Sequence, residues 1–157
     1  MSEQRVTLDS GVAAAIRKHG EATYPHECCG ALLGADGQVK SAVELPNTTE
    51  EGPRRRFLVR PSDYRLAEQK ASELGAELLG FYHSHPDHPA RPSQFDLDHA
   101  WPNFAYIIVA VAGSGEAGGE VGAEARRTSE GAKAGDMTVW FLKEDRSSFD
   151  EGSLNGK

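Results

Sequence analysis

The chain has little cysteine and no long apolar run, and both absences exclude classes of protein. Its only cysteines, Cys28 and Cys29, are adjacent, and neighbouring cysteines rarely meet the geometry of an ordinary disulfide. A disulfide-stabilised scaffold is therefore excluded. The longest apolar run, 104–112, is far shorter than the roughly 20 residues that a membrane-spanning helix needs. The first residues show no apolar signal segment, so we expect a cytoplasmic protein with no membrane partner.

Basic residues are also in the minority. Seventeen lysines and arginines stand against 24 aspartates and glutamates, which gives a net charge of −7. This balance disfavours nucleic acid as a partner, because nucleic-acid-binding domains are usually basic. The exception is the run Arg54–Arg56, which is typical of a solvated loop and, alternatively, of a site that docks an acidic partner. The 157 residues, 38% of them hydrophobic, have the size and composition of one folded domain.

Apolar periodicity predicts helices alternating with strands, which is typical of one α/β domain with a mixed β-sheet. The first predicted helix follows a cap at Asp9 or Ser10 and has its apolar face at Val12, Ala13, Ile16 and Ala22. The second runs from Ser62 to Leu74, with Leu66, Ala67 and Ala71 on its apolar face. The third is short and covers 94–101. The predicted strands are 29–33, 38–45, 57–59, 78–83, 104–111, 121–128 and 137–142, and the main loops are 47–56, 86–92 and 113–119. The polar segment 144–157 is expected to fray as a flexible tail behind a domain over 1–143.

Two histidines stand at the end of the strongest predicted strand, in Gly80-Phe81-Tyr82-His83-Ser84-His85-Pro86. Residues two apart on a strand point to the same side, so His83 and His85 can present both imidazoles to one point, as a metal site requires. Taken alone, however, such a pair is more typical of two ordinary surface or core histidines. Ser84 and Pro86 are expected to shape this strand end, and Tyr82 to pack.

A second motif, Ser93-Gln94-Phe95-Asp96, follows the histidines. Serine followed three residues later by an acid is a helix-start signature, and as a cap the motif needs no further role. The two interpretations are compatible, because a cap would hold Asp96 rigidly where it can serve as a third ligand. Two histidines and a carboxylate, with a fourth position left for water, form a recognised catalytic zinc arrangement.

Glu27, in Tyr24-Pro25-His26-Glu27-Cys28-Cys29-Gly30, is the candidate base that such a site needs. It lies between a predicted helix and an apolar strand, where a carboxylate can face inward. The adjacent thiols of Cys28 and Cys29 are expected to be small buried side chains rather than metal ligands or redox groups. His26 is expected to point away from the site. His88 and His99 are not needed as ligands and are expected to lie at the surface or to support the site, while Trp101, like Tyr82, is expected to pack.

Taken together, these residues resemble the JAMM motif of the MPN-type metalloproteases. That motif consists of a glutamate, a long gap, His-Ser/Thr-His-Pro, and Ser-x-x-Asp after a spacer of seven residues, and seven residues separate His85 from Ser93 here. The segment 27–34 also resembles the family's first strand. The compact bacterial and archaeal members, which carry little beyond the core domain, are the most similar.

The resemblance implies an MPN-type α/β (α+β) domain whose curved mixed sheet is flanked by helices, in the manner of cytidine deaminases. It implies that His83, His85 and Asp96 bind one zinc ion per chain. It further implies that Glu27 acts as general base on the metal-bound water and that the Ser93 hydroxyl stabilises the oxyanion.

The family resemblance also implies a substrate, namely the amide bond after the C-terminal Gly-Gly of a ubiquitin-like β-grasp sulfur-carrier protein. The loops 47–56 and 113–119 are where we expect contacts with this carrier. A noncatalytic scaffold of the same fold is the alternative, although such members typically lack some of the ligands. A DNA-repair-associated protein of related fold is a further alternative that the net charge of −7 disfavours. A homodimer is compatible with the sequence.

Overall fold

The computed structural model describes residues 4–46, 60–113 and 131–157, and in these ranges the apolar segments pair into one mixed sheet. Along the chain the elements are β1 (Arg5–Leu8), α1 (Val12–Thr23), β2 (Cys29–Ala35), β3 (Gln38–Leu45), α2 (Pro61–Glu73), β4 (Glu77–Pro86), α3 (Gln94–Asp98), β5 (Ala105–Ala112), β6 (Lys133–Leu142), β7 (Phe149–Glu151) and β8 (Ser153–Asn155). The prediction of an α/β domain with a mixed sheet is confirmed.

The strands lie in the order β7-β6-β5-β4-β2-β3-β1-β8, which places β4 at the centre. β4 pairs antiparallel with β2 and parallel with β5. Because both edges of β4 are hydrogen-bonded, its end is held in register by the sheet. β4 is also longer than the predicted strand 78–83, since it continues to Pro86 and carries both His83 and His85 within the paired region.

Both faces of the sheet are covered, which explains why its central strands are apolar throughout rather than alternating. Successive residues of a strand point to opposite sides. The core on the side of α1 includes Ile16, Leu32, Ile107, Val109 and Val139. The core on the side of α2 includes Ala31, Leu33, Ala67, Ala71 and Phe81. The histidine-bearing end of β4 is thus fixed by packing on two sides.

The first helix differs from its prediction in its cap and in one face residue. Its N-cap is Gly11, in the left-handed conformation at φ 89°, and not Asp9 or Ser10. Ala22 is exposed, and Gly20 is buried in its place. A Cβ at Gly20 would lie 3.0 Å from a methyl group of Val111, closer than ordinary contact, so the close approach of α1 to the sheet favours glycine there.

The other two helices also have boundaries that differ from the prediction. Helix α2 begins at Pro61 after an N-cap at Arg60, whose N–H donates to Asp63 at 3.0 Å, so Ser62 is not the cap. Ala67 and Ala71 are buried as predicted, but Leu74 lies past the helix end and is 60% exposed. Helix α3 ends at Asp98, three residues before the predicted end.

The expectation that the segment 144–157 frays as a flexible tail is wrong. β7 pairs with β6 and β8 pairs with β1, so the C-terminal segment connects strands from opposite ends of the sheet order. Gly152 stands between β7 and β8, where a Cβ would be 2.6 Å from the ring of Phe141 and 2.7 Å from the Gln4 carbonyl oxygen. Main-chain pairing, to which polar side chains are no obstacle, holds this segment.

Several predictions fall outside the described residues. These are the strands 57–59 and 121–128, the loop 47–56 with Arg54–Arg56, and residues 114–119 of the glycine-rich connection. No helix in the described ranges is long and apolar enough to span a membrane.

Candidate metal centre

The end of β4 places two imidazoles side by side on one face of the sheet. His83 and His85 are 2% and 6% exposed, and their Nε2 atoms lie 3.1 Å apart. This arrangement follows from the two-residue repeat of a strand. His83 is in register with Cys29 of β2 and Ile108 of β5, so paired strands on both sides support its backbone.

Asp96 is delivered to the same place by the first turn of α3. Ser93 is the N-cap of this helix, and its Oγ accepts the N–H of Asp96 at 3.1 Å. In return the N–H of Ser93 donates to Oδ2 of Asp96 at 2.8 Å. The predicted cap is confirmed, and its reciprocal bonds fix the carboxylate on the side that faces the histidines.

The structure brings the three predicted ligands into one cluster. Oδ1 of Asp96 lies 3.3 Å from Nε2 of His83, and Oδ2 lies 3.2 Å from Nε2 of His85. Ligand atoms bound at about 2.0–2.1 Å around a tetrahedral zinc ion would lie about 3.4 Å from one another. The two imidazole nitrogens and the carboxylate are therefore already about as close together as such a tetrahedron requires, with a different oxygen of Asp96 nearest each histidine. Within the described ranges, this is the cluster of histidine, cysteine and acidic residues that could hold a metal ion.

The hydrogen bond at Nδ1 of His85 determines which of its two ring nitrogens can bind a metal. Nδ1 of His85 lies 2.9 Å from the carbonyl oxygen of Pro89. A carbonyl only accepts hydrogen bonds, so Nδ1 carries the proton and donates it. Nε2, the atom that lies in the cluster, is then the nitrogen of His85 that can bind a metal in place of a proton.

Charge attraction dominates the titration of this cluster. Burial by itself lowers the pKa of His83, but the negative charges of Asp96 and Glu27 outweigh it, so the pKa of His83 is raised. Burial by itself raises the pKa of Asp96, but attraction to His83 and hydrogen bonds from His83 and His85 hold this pKa well below its ordinary value. Asp96 is therefore an anion at neutral pH, as a metal ligand must be.

Glu27 precedes β2 and lies beside the cluster. Its Oε1 atom is buried, and its charge is close enough to His83 to raise the pKa of that histidine. Ser84, which lies between the two histidines, holds the segment after Glu27 against β4. Oγ of Ser84 accepts the N–H of Cys28 at 2.8 Å, and the N–H of Ser84 donates to the Cys28 carbonyl at 3.2 Å. The prediction that Ser84 shapes the site rather than reacts agrees with this contact.

The neighbouring thiols are buried, as predicted. Cys28 and Cys29 are 1% and 0% exposed and are not joined in a disulfide. Burial raises the pKa of Cys28 to about 12 and raises the pKa of Cys29 as well. Both thiols are therefore protonated at neutral pH, which suits packing and not metal binding.

The remaining predicted bystanders lie outside the cluster. His26, His88 and His99 are exposed, and the ring of His99 stacks on Phe95 with centroids 4.1 Å apart. Tyr82 is buried and Trp101 stacks on Tyr64 with centroids 4.8 Å apart, so the packing predictions for these two residues are confirmed.

A contact that the sequence analysis missed joins the segment before Glu27 to the turn after His85. The hydroxyl of Tyr24 donates to Oδ2 of Asp87 at 2.6 Å, and the N–H of Gly113 donates to Oδ1 at 3.2 Å. Asp87 sits at φ 61°, in the turn that follows β4. Tyr24 and Asp87 are 63 residues apart, and no local pattern in the sequence signals their pairing.

A groove of about 290 Å³ opens beside Ser93. Aromatic and aliphatic side chains form part of its wall, and its polar residues lie next to the cap of α3. The lining residues are Arg91, Pro92, Ser93, Gln94, Leu97, Trp140, Ser148 and Phe149. Its volume is far smaller than that of a folded domain.

Comparison with curated proteins gives relatives of stated activity. The desampylase of Haloferax volcanii is 28% identical over 114 residues, which cover 69% of this chain and 82% of that protein. A probable TtuB-protein conjugate cleaving protease of Thermus thermophilus is 32% identical over 98 residues, which cover 62% of this chain and 65% of that protein. The tail tip assembly protein K of Escherichia phage N15 is 34% identical over 82 residues, covering 52% of this chain but 31% of that longer protein.

Solved structures match over nearly the whole chain. A protein from Salinibacter ruber superposes with a TM-score of 0.67 at 34% identity, covering 97% of this chain and 92% of its own. A JAB1/MPN domain protein from Archaeoglobus fulgidus, at 16% identity and a TM-score of 0.50, covers 96% of this chain and 99% of its own and shares the fold. Residues 9–127 match the family described as prokaryotic homologs of the JAB domain (Prok-JAB). The cluster of His83, His85 and Asp96 lies within that matched range, and the chain belongs to this family.

Proposed function

We propose that the protein is a zinc-dependent metallopeptidase that hydrolyses the amide bond after the C-terminal Gly-Gly of a ubiquitin-like β-grasp sulfur-carrier protein. The observation that carries the proposal is the close approach of the two histidine Nε2 atoms to each other and of the Asp96 carboxylate to both, at 3.1–3.3 Å, beside the buried Oε1 of Glu27. A cluster that only stabilised the fold would not need the buried carboxylate oxygen of Glu27 beside it.

The donor set suits zinc in a hydrolytic site. Two neutral imidazoles and one carboxylate leave a fourth position for water, which distinguishes catalytic zinc sites from closed structural ones. Bound there, zinc would lower the pKa of that water towards about 7 and polarise the scissile carbonyl. His83, His85 and Asp96 would hold the ion, and the Pro89 carbonyl, which accepts Nδ1–H of His85, leaves Nε2 of that ring to bind it.

Glu27 moves the proton. Its carboxylate accepts a proton from the attacking water, and the resulting carboxylic acid passes that proton to the leaving amine when the C–N bond breaks. The balance is one water consumed and one carboxylic acid and one amine formed, which at neutral pH become a carboxylate and an ammonium group. No covalent intermediate with the enzyme is needed, so the protonated thiols of Cys28 and Cys29 take no part.

Ser93 stabilises the developing oxyanion. Its Oγ accepts the N–H of Asp96, so its own O–H proton remains available to a substrate oxygen. Donors of this kind contribute about 3 kcal/mol to transition-state stabilisation. The same residue therefore positions a ligand through its main chain and acceptor lone pair, and contacts the substrate through its hydroxyl hydrogen.

The substrate class is supported by the relatives and by the groove beside Ser93. Two of the relatives are a desampylase and a probable TtuB-protein conjugate cleaving protease. A flexible Gly-Gly tail is small enough to lie extended in a groove of about 290 Å³, which a folded domain is too large to enter. The cytoplasmic location, the homodimer and the carrier contacts of 47–56 and 113–119 stay predictions.

Mass spectrometry of carrier fusions tests the proposal. A β-grasp carrier ending in Gly-Gly is extended by a short peptide and incubated with the zinc-loaded protein, with a chelator-treated sample and with the Glu27→Gln variant as controls. We expect cleavage after Gly-Gly in the first sample alone. A protein that binds zinc and the carrier but cleaves no fusion would instead be a scaffold, and preferential binding of DNA at moderate salt would favour the repair-associated alternative.

A further inference from the structure

Two hydrogen bonds hold the loop that follows β4, one from Thr138 of β6 and one from His85. The indole Nε1 of Trp140 donates to Oγ1 of Thr138 at 2.7 Å, and Oγ1 of Thr138 donates to the carbonyl oxygen of Ala90 at 2.7 Å. The neighbouring carbonyl, that of Pro89, accepts Nδ1–H of His85 at 2.9 Å. Consecutive carbonyls of one short loop are thus held by β6 on one side and by a metal-ligand candidate on the other.

The direction of each hydrogen bond is set by what its groups can do. An indole N–H only donates, so Oγ1 of Thr138 must accept from it. The hydroxyl hydrogen of Thr138 is then left for Ala90, whose carbonyl oxygen only accepts. Trp140 therefore orients the Thr138 hydroxyl toward the loop.

The sheet explains why β6 can reach this loop. Thr138 is in register with Ile108 of β5, which is in register with His83 of β4, so Thr138 stands on the face that carries the histidines. Trp140, two residues further along β6, lies on the same face. The span across two neighbouring strands is about 10 Å, which the loop from Pro86 to Pro92 crosses.

We infer that Thr138 is a positioning residue that, oriented by Trp140, holds the Pro89–Ala90 peptide so that the Pro89 carbonyl accepts Nδ1–H of His85 and keeps the ring turned with its Nε2 directed into the metal site. Ala90 is 6% exposed, so water does not readily replace a lost partner of its carbonyl. Without the Thr138 hydroxyl, the loop has to turn the Ala90 carbonyl toward another donor, and the adjacent Pro89 carbonyl moves with it. This inference rests on the proposed metal site, but it concerns the ligand geometry and not the substrate.

Zinc affinity provides the first test, measured on the full chain by competition with a chromophoric chelator. We expect Thr138→Val, which removes the hydroxyl at nearly constant shape, to weaken zinc binding about 10- to 100-fold, the range found for lost partners of metal-bound histidines. Thr138→Ser restores the hydroxyl and should bind within about threefold of the parent protein. Thr7→Val in β1 is the matched control for the chemical change and should not alter affinity.

The hydrogen bond from Nδ1–H of His85 to the Pro89 carbonyl provides a second readout, independent of any metal. In the metal-free parent protein the Nδ1–H proton, observed by NMR, should exchange slowly with solvent, and in Thr138→Val it should exchange faster. Trp140→Phe should speed the exchange to a smaller extent, and it replaces Thr138→Val if that variant does not fold. A folded Thr138→Val protein with parental zinc affinity and an unchanged exchange rate of this proton would overturn the inference. If the parent protein binds no zinc, the proposed function fails, while the exchange rate still decides the role of Thr138.

Discussion

The hydroxyl of Tyr24 lies 2.6 Å from Oδ2 of Asp87, which joins the segment preceding Glu27 to the turn that follows His85. The candidate base and the histidine strand are thereby tied at a second point, besides the bond between Ser84 and Cys28. Gly113 also donates to Asp87, so one carboxylate connects three segments of the chain. The site is assembled from distant parts of the sequence, and such long-range hydrogen bonds fix the positions of its side chains relative to one another.

The Tyr24–Asp87 pair should contribute measurably to stability. A charge-assisted hydrogen bond at a partly exposed carboxylate contributes about 1–2 kcal/mol, so Tyr24→Phe should lower the free energy of unfolding by that amount. A double-mutant cycle with Asp87→Ala, measured by chemical denaturation, isolates the coupling. Strict additivity of the two single variants would show that the contact contributes nothing.

Removal of one ligand should abolish stoichiometric zinc binding. We expect one zinc per chain in the parent protein and its loss in Asp96→Ala, because two histidines alone leave the site half empty. Metal content is measured by atomic emission after dialysis against buffer. Asp98→Ala is the matched control, since Asp98 lies on the same helix and bonds only Gln94 in the described structure. Full metal content in Asp96→Ala would remove Asp96 from the ligand set.

Glu27→Gln should separate binding from turnover. The amide occupies the same volume but cannot take a proton, so kcat should fall by a factor of about 10²–10⁴ while zinc content is retained. The exposed Glu77→Gln variant controls for the loss of one negative charge on a strand. Near-parental kcat in Glu27→Gln would show that another group handles the proton.

The cysteines should be inert in the folded protein. With its pKa raised from 9.0 to about 12, Cys28 has about 1000-fold less thiolate at pH 8 than an unfolded thiol, so alkylation by iodoacetamide should be slower by at least that factor. The folded state binds the Cys28 proton more tightly than the unfolded state does. The free energy of unfolding therefore keeps its full contribution from this group below about pH 9 and loses it as the pH rises toward 12. Rapid labelling of native protein at pH 8, followed by mass spectrometry, would contradict this burial.

The local parts of the site were predictable from the sequence, and the long-range parts were not. The alternation of a strand places His83 and His85 together, and the helix-start pattern places Asp96 on a rigid turn. Both rest on the repeat of one element. The prediction that α3 meets the end of β4, by contrast, came from the family resemblance and not from periodicity.

The contacts that no sequence pattern signalled are main-chain or long-range. The Pro89 carbonyl that holds His85 is invisible in side-chain patterns, and Tyr24 meets Asp87 across 63 residues. The C-terminal strands were missed for a related reason: their pairing with β1 and β6 uses backbone groups, which polar residues supply as well as apolar ones. The left-handed cap at Gly11 likewise depends on backbone conformation rather than on a capping side chain.

Ser93 is the residue whose two roles can be separated by variants. Ser93→Ala removes both the acceptor for the Asp96 N–H and the hydroxyl proposed to contact the oxyanion, so both kcat and zinc affinity should fall. Ser93→Asp keeps a capping acceptor but has no donor at neutral pH. If Ser93 stabilises the transition state, kcat should fall about 10²–10³-fold in Ser93→Asp even in fully zinc-loaded protein, with KM changed much less. Parental kcat in zinc-loaded Ser93→Asp would leave Ser93 as a helix cap alone.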